Sequence, residues 1–246
     1  MNINKKKIID NLSTIFYALL IALLIRSILF QPFYIPSSSM EPNLLVGDRL
    51  FVSKYTYGYS RHSFPFSPKF SEKRFFFSNP KRGDVIVFKT PVDNRTDYIK
   101  RLIGLPGDEI QFIDGFLFIN NSQVLKTKKN KKDLKMYCGD NQIDIDLFEE
   151  KLPNGEKYFA AYRKDFPLTN TDKYIVPENH YFFLGDNRDC SRDSRYLDSV
   201  GYVKKSNLVG KARIIFFSKD KKIGNIFQVW KWSDIVRSDR IFNKIN

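Results

Sequence analysis

Three adjacent hydroxyls, Ser37, Ser38 and Ser39, stand between two prolines in the segment Ile35-Pro36-Ser37-Ser38-Ser39-Met40-Glu41-Pro42-Asn43-Leu44. Proline fixes its own φ and pushes the preceding residue towards extended backbone, so the serines sit on a stiff stretch of chain. Ser39 reads as a nucleophile; the plain alternative is a polar loop. A serine hydroxyl attacks poorly near neutral pH and needs a base within hydrogen-bond reach. The chain has only two histidines. His62 falls in an irregular stretch and His180 in the turn Pro177-Glu178-Asn179-His180, where structural or surface roles are expected. The Gly-x-Ser-x-Gly elbow and the Walker phosphate loop are both absent from the sequence. A lysine can serve as base once burial lowers its pKa from about 10.4, at about 1.4 kcal/mol per unit. Most lysines here lie in solvated charge runs, but Lys100 follows Tyr98 and Ile99 and precedes Leu102 and Ile103. Its alternative reading is an outward-facing strand lysine.

Those residues need a scaffold, and the chain around them reads as short β runs punctuated by turns. Aromatic residues make up 15% of the 246, and with many Val and Ile in short runs they lean the class towards β structure. Strands are expected over 46–52, 83–88 and 98–103, the last ended by the breaker cluster Gly104-Leu105-Pro106-Gly107-Asp108. Residues 109–112 and 116–119 flank Asp114-Gly115 and predict a hairpin. Residues 55–80 carry four helix and strand breakers, Gly58, Pro65, Pro68 and Pro80, and read as a long loop. The lysine-rich run 126–135 reads as a solvated connection, leading into a variable stretch in which Leu152-Pro153-Asn154-Gly155 turns between two strands. Strand character returns at 181–184 and 209–217, and in the basic C-terminal stretch Trp230 and Trp232 are expected to pack on the domain, with contact to a membrane interface as the alternative.

Residues 12–30 are apolar and long enough for a helix to cross a hydrocarbon core of about 30 Å, with Arg26 snorkelling at one end. Lys5, Lys6 and Lys7 precede them, which keeps that end cytoplasmic and puts everything after Phe30 on the outer side. A cleavable signal peptide is the alternative, but Phe30, Phe33 and Tyr34 crowd the approach to the serines and no Ala-x-Ala follows. The net charge of +14 predicts attraction to anionic partners. No zinc-finger spacing, basic region with heptads or RNA-recognition aromatic motif is present, so a membrane surface is the expected partner and nucleic acid is not. Cys138 and Cys190 have no metal-site spacing. One bridge between them is conceivable on an oxidising face, but a core of this size does not need it.

Three segments carry a family resemblance. Ile35-Pro36-Ser37-Ser38-Ser39-Met40-Glu41-Pro42, Tyr98-Ile99-Lys100-Arg101-Leu102-Ile103-Gly104-Leu105-Pro106-Gly107-Asp108 and Gly185-Asp186-Asn187-Arg188-Asp189-Cys190-Ser191-Arg192-Asp193-Ser194-Arg195 resemble, in order, the signature boxes of type I signal peptidases. The resemblance covers most of the chain outside the variable stretch. It implies a Ser-Lys protease, held in the bacterial inner membrane by one span with its N-terminus cytoplasmic and its catalytic domain on the periplasmic face. Its partners would be the signal peptides of exported preproteins, the lipid bilayer and, transiently, the translocation machinery; it would use no metal and no organic cofactor. Ser39 matches the nucleophile and Lys100 the general base. Ser37 matches the hydroxyl that joins the Ser39 N–H in the oxyanion hole, and Ser191 the hydroxyl that orients the lysine. Asp193 and Arg195 match a supporting ion pair, beside Asp186 and Arg188. Phe33, Ile35, Leu44 and Ile99 would line shallow pockets for the small residues that precede the cut, with core packing as their alternative role.

The acidic run of the third box is not read as a calcium loop, because interleaved arginines leave too little negative charge for a divalent ion. Two residues depart from the family pattern, Cys190 where Asn is usual and Asn43 where Thr is common. Cys190 beside Ser191 argues against a structural disulfide, since bridging it would constrain the site. The expected architecture is mostly β: a signal-peptidase-like β catalytic domain over 31–125 and 175–220, an inserted smaller β region over 126–174 and a basic C-terminal segment over 221–246. A cytoplasmic stretch, 1–11, and a transmembrane anchor, 12–30, precede them. The rival from another class is a non-enzymatic, membrane-tethered binding module with a basic surface. Another Ser-Lys protease, such as a self-cleaving repressor relative or an organellar inner-membrane peptidase, is the nearer alternative, although an anchor disfavours the repressors.

Overall fold

Good helix formers, Leu, Ile and Ala, follow one another without Gly or Pro through the N-terminal segment, and Asn2–Leu24 form helix α1. The computed structural model describes residues 2–68, 71, 73–130, 134–139, 141–220 and 232–245. From Ile25 the helix widens into a π-helical turn, Ile25–Leu29, and the chain enters strand β1 (Phe30–Tyr34) with no intervening linker. The apolar side chains of α1 are exposed on all sides, and the 23 residues Lys7–Leu29 are long and apolar enough to cross a membrane.

The remainder is almost entirely β. After β1 come β2 (Asp48–Ser53), β3 (Val85–Lys89), β4 (Asp97–Gly104), β5 (Glu109–Ile113), β6 (Phe116–Ile119) and β7 (Ser122–Gln123). Then follow β8 (Leu125–Lys128), β9 (Lys135–Cys138), β10 (Asn141–Lys151), β11 (Lys157–Arg163), β12 (Tyr174–Ile175), β13 (His180–Leu184), β14 (Val203–Lys204) and β15 (Leu208–Ser218). Seven strands make the main antiparallel sheet in the order β1-β2-β15-β3-β4-β13-β14. A second sheet runs β11-β10-β8 with β9 also on β10, and a third runs β12-β5-β6-β7.

The centre of the main sheet is covered on both faces. Side chains alternate along a strand, so Val85 and Val87 of β3 join one apolar cluster with Ile35, Met40 and Leu44, while Ile86 and Phe88 join another with Leu102 and Phe183. This explains why the sequence of β3 is apolar throughout rather than alternating. The hairpin expected at Asp114-Gly115 forms between β5 and β6, and the turn at 152–155 joins β10 to β11.

Three expectations need correction. The lysine-rich run is not wholly a solvated connection, because Leu125–Lys128 form β8 and Lys126 folds inwards over aromatic rings, 3.3 Å from the Tyr162 centroid. Residues 131–133 of that run lie outside the described residues. Trp232 is half-exposed, at 47%, rather than enclosed in the core, and Trp230 lies outside the described residues. Finally, Cys138 and Cys190 are joined as a disulfide. The bridge is compatible with the site because Cys190 ends its own short turn, Arg188–Cys190, while Ser191 has already passed into extended backbone.

Candidate active site

The serine turn is held at both ends. Ser38–Met40 form a single 3-10 turn between β1 and β2, with Met40 buried among Ile35, Leu44 and Leu50. Ile35 N–H donates to Asp48 C=O and Leu44 N–H to Met40 C=O, each at 2.9 Å. The third box grips the other side: Asn187 N–H donates to Ser39 C=O at 3.1 Å and Asn187 Nδ2 to Ser38 C=O at 3.2 Å. Gly185 is wedged between the turn and Ser191, where a Cβ would lie 2.5 Å from Ser39 O and 2.1 Å from Ser191 Oγ. No other residue fits there without displacing backbone.

Lys100 reaches this turn from the middle of β4, where it pairs with Ile86 of the central β3. Its Nζ donates to Ser39 Oγ at 2.7 Å and to Ile99 C=O at 3.0 Å, and the side chain is 3% exposed. Burial lowers its pKa from 10.5 to about 8, against the pull of the Asp193 and Asp186 carboxylates and with a smaller push from Arg195. Near pH 8 the amine is thus half neutral, and a neutral amine accepts the serine proton that the ammonium cannot. Ser37 is exposed, with its Oγ 3.3 Å from Ser39 Oγ.

The remaining residues of the sequence reading fall at different depths. Ser191 is buried beside Gly185 but makes no hydrogen bond to Lys100, whose acceptors among the described residues are Ser39 and Ile99. Asp193 and Arg195 form a buried pair at 2.8 Å, and Asp193 Oδ2 accepts from Gly185 N–H at 3.0 Å. Burial alone would raise the Asp193 carboxyl, but the Arg195 charge beside it holds it below its ordinary value. Phe33, Ile35, Leu44 and Ile99 belong to one apolar cluster; Ile35 and Leu44 are buried, so Phe33 and Ile99 present the open surface. His62 is buried, and its pKa falls to about 4 through burial and then the neighbouring Arg61 charge. Its Nδ1 pairs with Ser67 Oγ, and His180 Nδ1 lies against Glu178 C=O, so neither histidine hydrogen-bonds to the serine turn.

Asp186 and Arg188 do not pair with each other. Asp186 takes a two-pronged grip from Arg101, with both contacts at 2.8 Å, and a further donor from Asn43 Nδ2 at 2.7 Å. Arg188 runs to Glu150 at 2.9 Å, where Tyr158 and Tyr162 hydroxyls also donate. Arg101, Asn43, Asn187 and Glu150 therefore brace the site although sequence reasoning gave them no part. Arg101, directly after Lys100 on a strand, was the one with a signal: a charge pointing to the opposite face of an apolar strand needs a buried partner.

Comparison with known proteins adds an independent finding. The model of the family described as signal peptidase, peptidase S26 matches residues 8–217. The chain is 41% identical over 247 residues to signal peptidase I of Rickettsia typhi, covering 93% of this chain and 90% of that protein. It is 39% identical over 264 residues to signal peptidase I of Rickettsia prowazekii, covering 99% and 97%. A crystal structure of a signal peptidase I from Enterococcus faecalis V583 aligns with 55% of this chain and 97% of that chain, at 27% identity and a TM-score of 0.32. The chain belongs to the signal peptidase family, peptidase S26.

Proposed function

We propose that the protein is a membrane-anchored serine endopeptidase that removes N-terminal signal peptides from exported preproteins, with Ser39 as nucleophile and Lys100 as general base. The observation that carries this reading is the 2.7 Å contact between Lys100 Nζ and Ser39 Oγ in a buried, largely apolar setting. Neutral Lys100 takes the Ser39 proton as Oγ attacks the scissile carbonyl, and the new alkoxide is held by the Ser37 hydroxyl and the Ser39 N–H. Donors aimed at such developing charge are worth about 3 kcal/mol each. Lys100 then passes the proton to the leaving amine, which departs as the new N-terminus of the mature protein. Water enters, Lys100 takes its proton, and hydrolysis of the acyl ester frees Ser39 and the signal peptide.

The substrate lies extended along the groove, with small residues one and three positions before the cut seated against Phe33, Ile35, Leu44 and Ile99. Ser191, buried beside Gly185, supplies the hydroxyl that orients the lysine, and the Asp193–Arg195 pair keeps the third box folded. Residues 31–125 and 175–220 form the catalytic domain, 126–174 the insert and 12–30 the span. The N-terminal lysines stay cytoplasmic, which puts the serine turn on the outer face where a translocating cleavage site emerges.

The test is cleavage of a secretory preprotein by the full chain in detergent. Ser39→Ala and Lys100→Ala abolish processing, while replacing both histidines in a folded protein preserves it; the opposite result in either arm removes the assignment. Processing of the preprotein, but not of the chain itself, separates this reading from a self-cleaving Ser-Lys protease.

A further inference from the structure

We propose that the cavity at the C-terminal end of α1 binds the phosphate of an anionic lipid headgroup, an inference that rests on the anchored reading above. The cavity has a volume of about 440 Å³ and takes Arg26 from the π-helical turn, Lys54 just beyond β2, Lys89 at the end of β3 and Arg95 from the turn that follows. Among the described residues Asp97 is the one carboxylate on its wall, and Lys89 Nζ already holds it at 2.9 Å. Arg26 and Arg95 are exposed, and their guanidiniums have no side-chain or backbone acceptor among the described residues.

Lys54 makes the cavity more than a basic surface. It is 2% exposed, and among the described residues one of its three N–H donors is directed to an acceptor, Ser63 C=O at 2.5 Å. Burial, and next the Arg26 charge, lower its pKa to about 8, with Asp97 opposing. A buried ammonium facing like charges is unfavourable unless an anion joins it, and the catalytic reading gives Lys54 no task.

Position selects the source of that anion. Arg26 lies within the last turns of the span Lys7–Leu29, at the level where lipid phosphates stand. Tyr59 hydroxyl donates to Ile28 C=O at 3.0 Å, fastening the loop after β2 to the same turn. Phe64, Pro65 and Phe66 complete the rim. Phe66 is 103% exposed and is held at a φ of 62°, a backbone region that bulky residues rarely adopt. Cations inside and an exposed ring at the mouth match a phosphate carrying acyl chains; a soluble anion has no use for the ring.

Full-length protein in nonionic detergent, titrated with phosphatidylglycerol and read by native mass spectrometry, tests this. Phosphatidylcholine, inorganic phosphate and glycerophosphoglycerol run in parallel. The expected result is one phosphatidylglycerol per chain, held at least about tenfold more tightly than the others and weakened about tenfold or more by Arg26→Gln/Arg95→Gln. Lys54→Met gives the same loss, and Ser39→Ala binds as the unaltered chain does, which keeps this outcome separate from the fate of the nucleophile. Equal binding of phosphatidylcholine overturns the proposal, and so does equal binding of the soluble phosphates. Retention of the lipid by a double variant with an unchanged melting temperature also overturns it, as does displacement by a glutamate-rich peptide at lower concentration. Failure of the chain to float with vesicles of any composition removes the anchored reading and this proposal together.

Discussion

Lys100 is where chemistry and stability pull against each other. Its pKa falls from 10.5 to about 8 through burial, so a base of this kind makes kcat/KM rise with unit slope up to about pH 8 and then level off. A kcat/KM that does not rise between pH 7 and 8 would remove Lys100 from the role of base. The same shift has a stability consequence of opposite interest. Below pH 8 the native and unfolded chains both hold the proton, and the native state carries the whole penalty of the buried ammonium. Between about 8 and 10.5 the native chain releases its proton first, the unfolded state binds more, and stability rises with pH. The interval corresponds to about 3 kcal/mol. Lys100→Met is therefore inactive yet more stable than the unaltered chain at pH 7, by up to about 3 kcal/mol, and the advantage shrinks towards pH 10. Denaturant titrations at the two pH values measure both numbers. The candidate lysine was legible in the sequence because its neighbours Tyr98, Ile99, Leu102 and Ile103 are local and apolar. The Arg101–Asp186 pair beside it was not foreseen, since that bond spans 85 positions and no periodicity reports it.

At the scale of elements, strands were the readable part, because alternation and breakers are properties of a few consecutive residues. What escaped were the ties between elements. Lys126 looked solvated within a lysine run, yet the rings of Phe148 and Tyr162 come from β10 and β11 to cover it, and burial lowers its pKa to about 8. The same holds for the Cys138–Cys190 bridge, which closes 52 positions and ties β9 to the short turn that precedes Ser191. Asn187 Nδ2 reaches both Ser38 C=O and Tyr137 C=O, so this strand and the serine turn share one side chain. Replacing both cysteines by serine, or adding reductant, lowers stability by about 2–4 kcal/mol, read as a shift of the denaturant midpoint. Amides of residues 38–40 lose hydrogen-exchange protection in the same samples. An unchanged midpoint would show that the hairpin is held by its strand pairing alone.

For the whole molecule, the readable features were an apolar N-terminal helix ahead of a mostly β chain and the charge of +14; how the elements meet was not readable, since the cavity at Arg26 draws its walls from segments as distant as Gln31, Lys89 and Val209. One of those junctions matters for more than shape. The π-helical turn ends at Leu29 and β1 starts at Phe30, so a helix and a seven-stranded sheet are joined without slack. At about 3.3 Å per extended residue, Ser39, ten residues on, can lie no farther than roughly 33 Å from the end of the helix. If the helix spans a bilayer as proposed, the junction acts as a ruler: it fixes the altitude at which peptide bonds are cut, independently of the sequence recognised in the groove. A flexible ten-residue Gly/Ser insertion after Leu29 should leave hydrolysis of a short soluble peptide unchanged, while a membrane-bound preprotein bearing two acceptable sites at different distances from its apolar core is cut at both. N-terminal mapping of the products distinguishes a measured height from mere tethering.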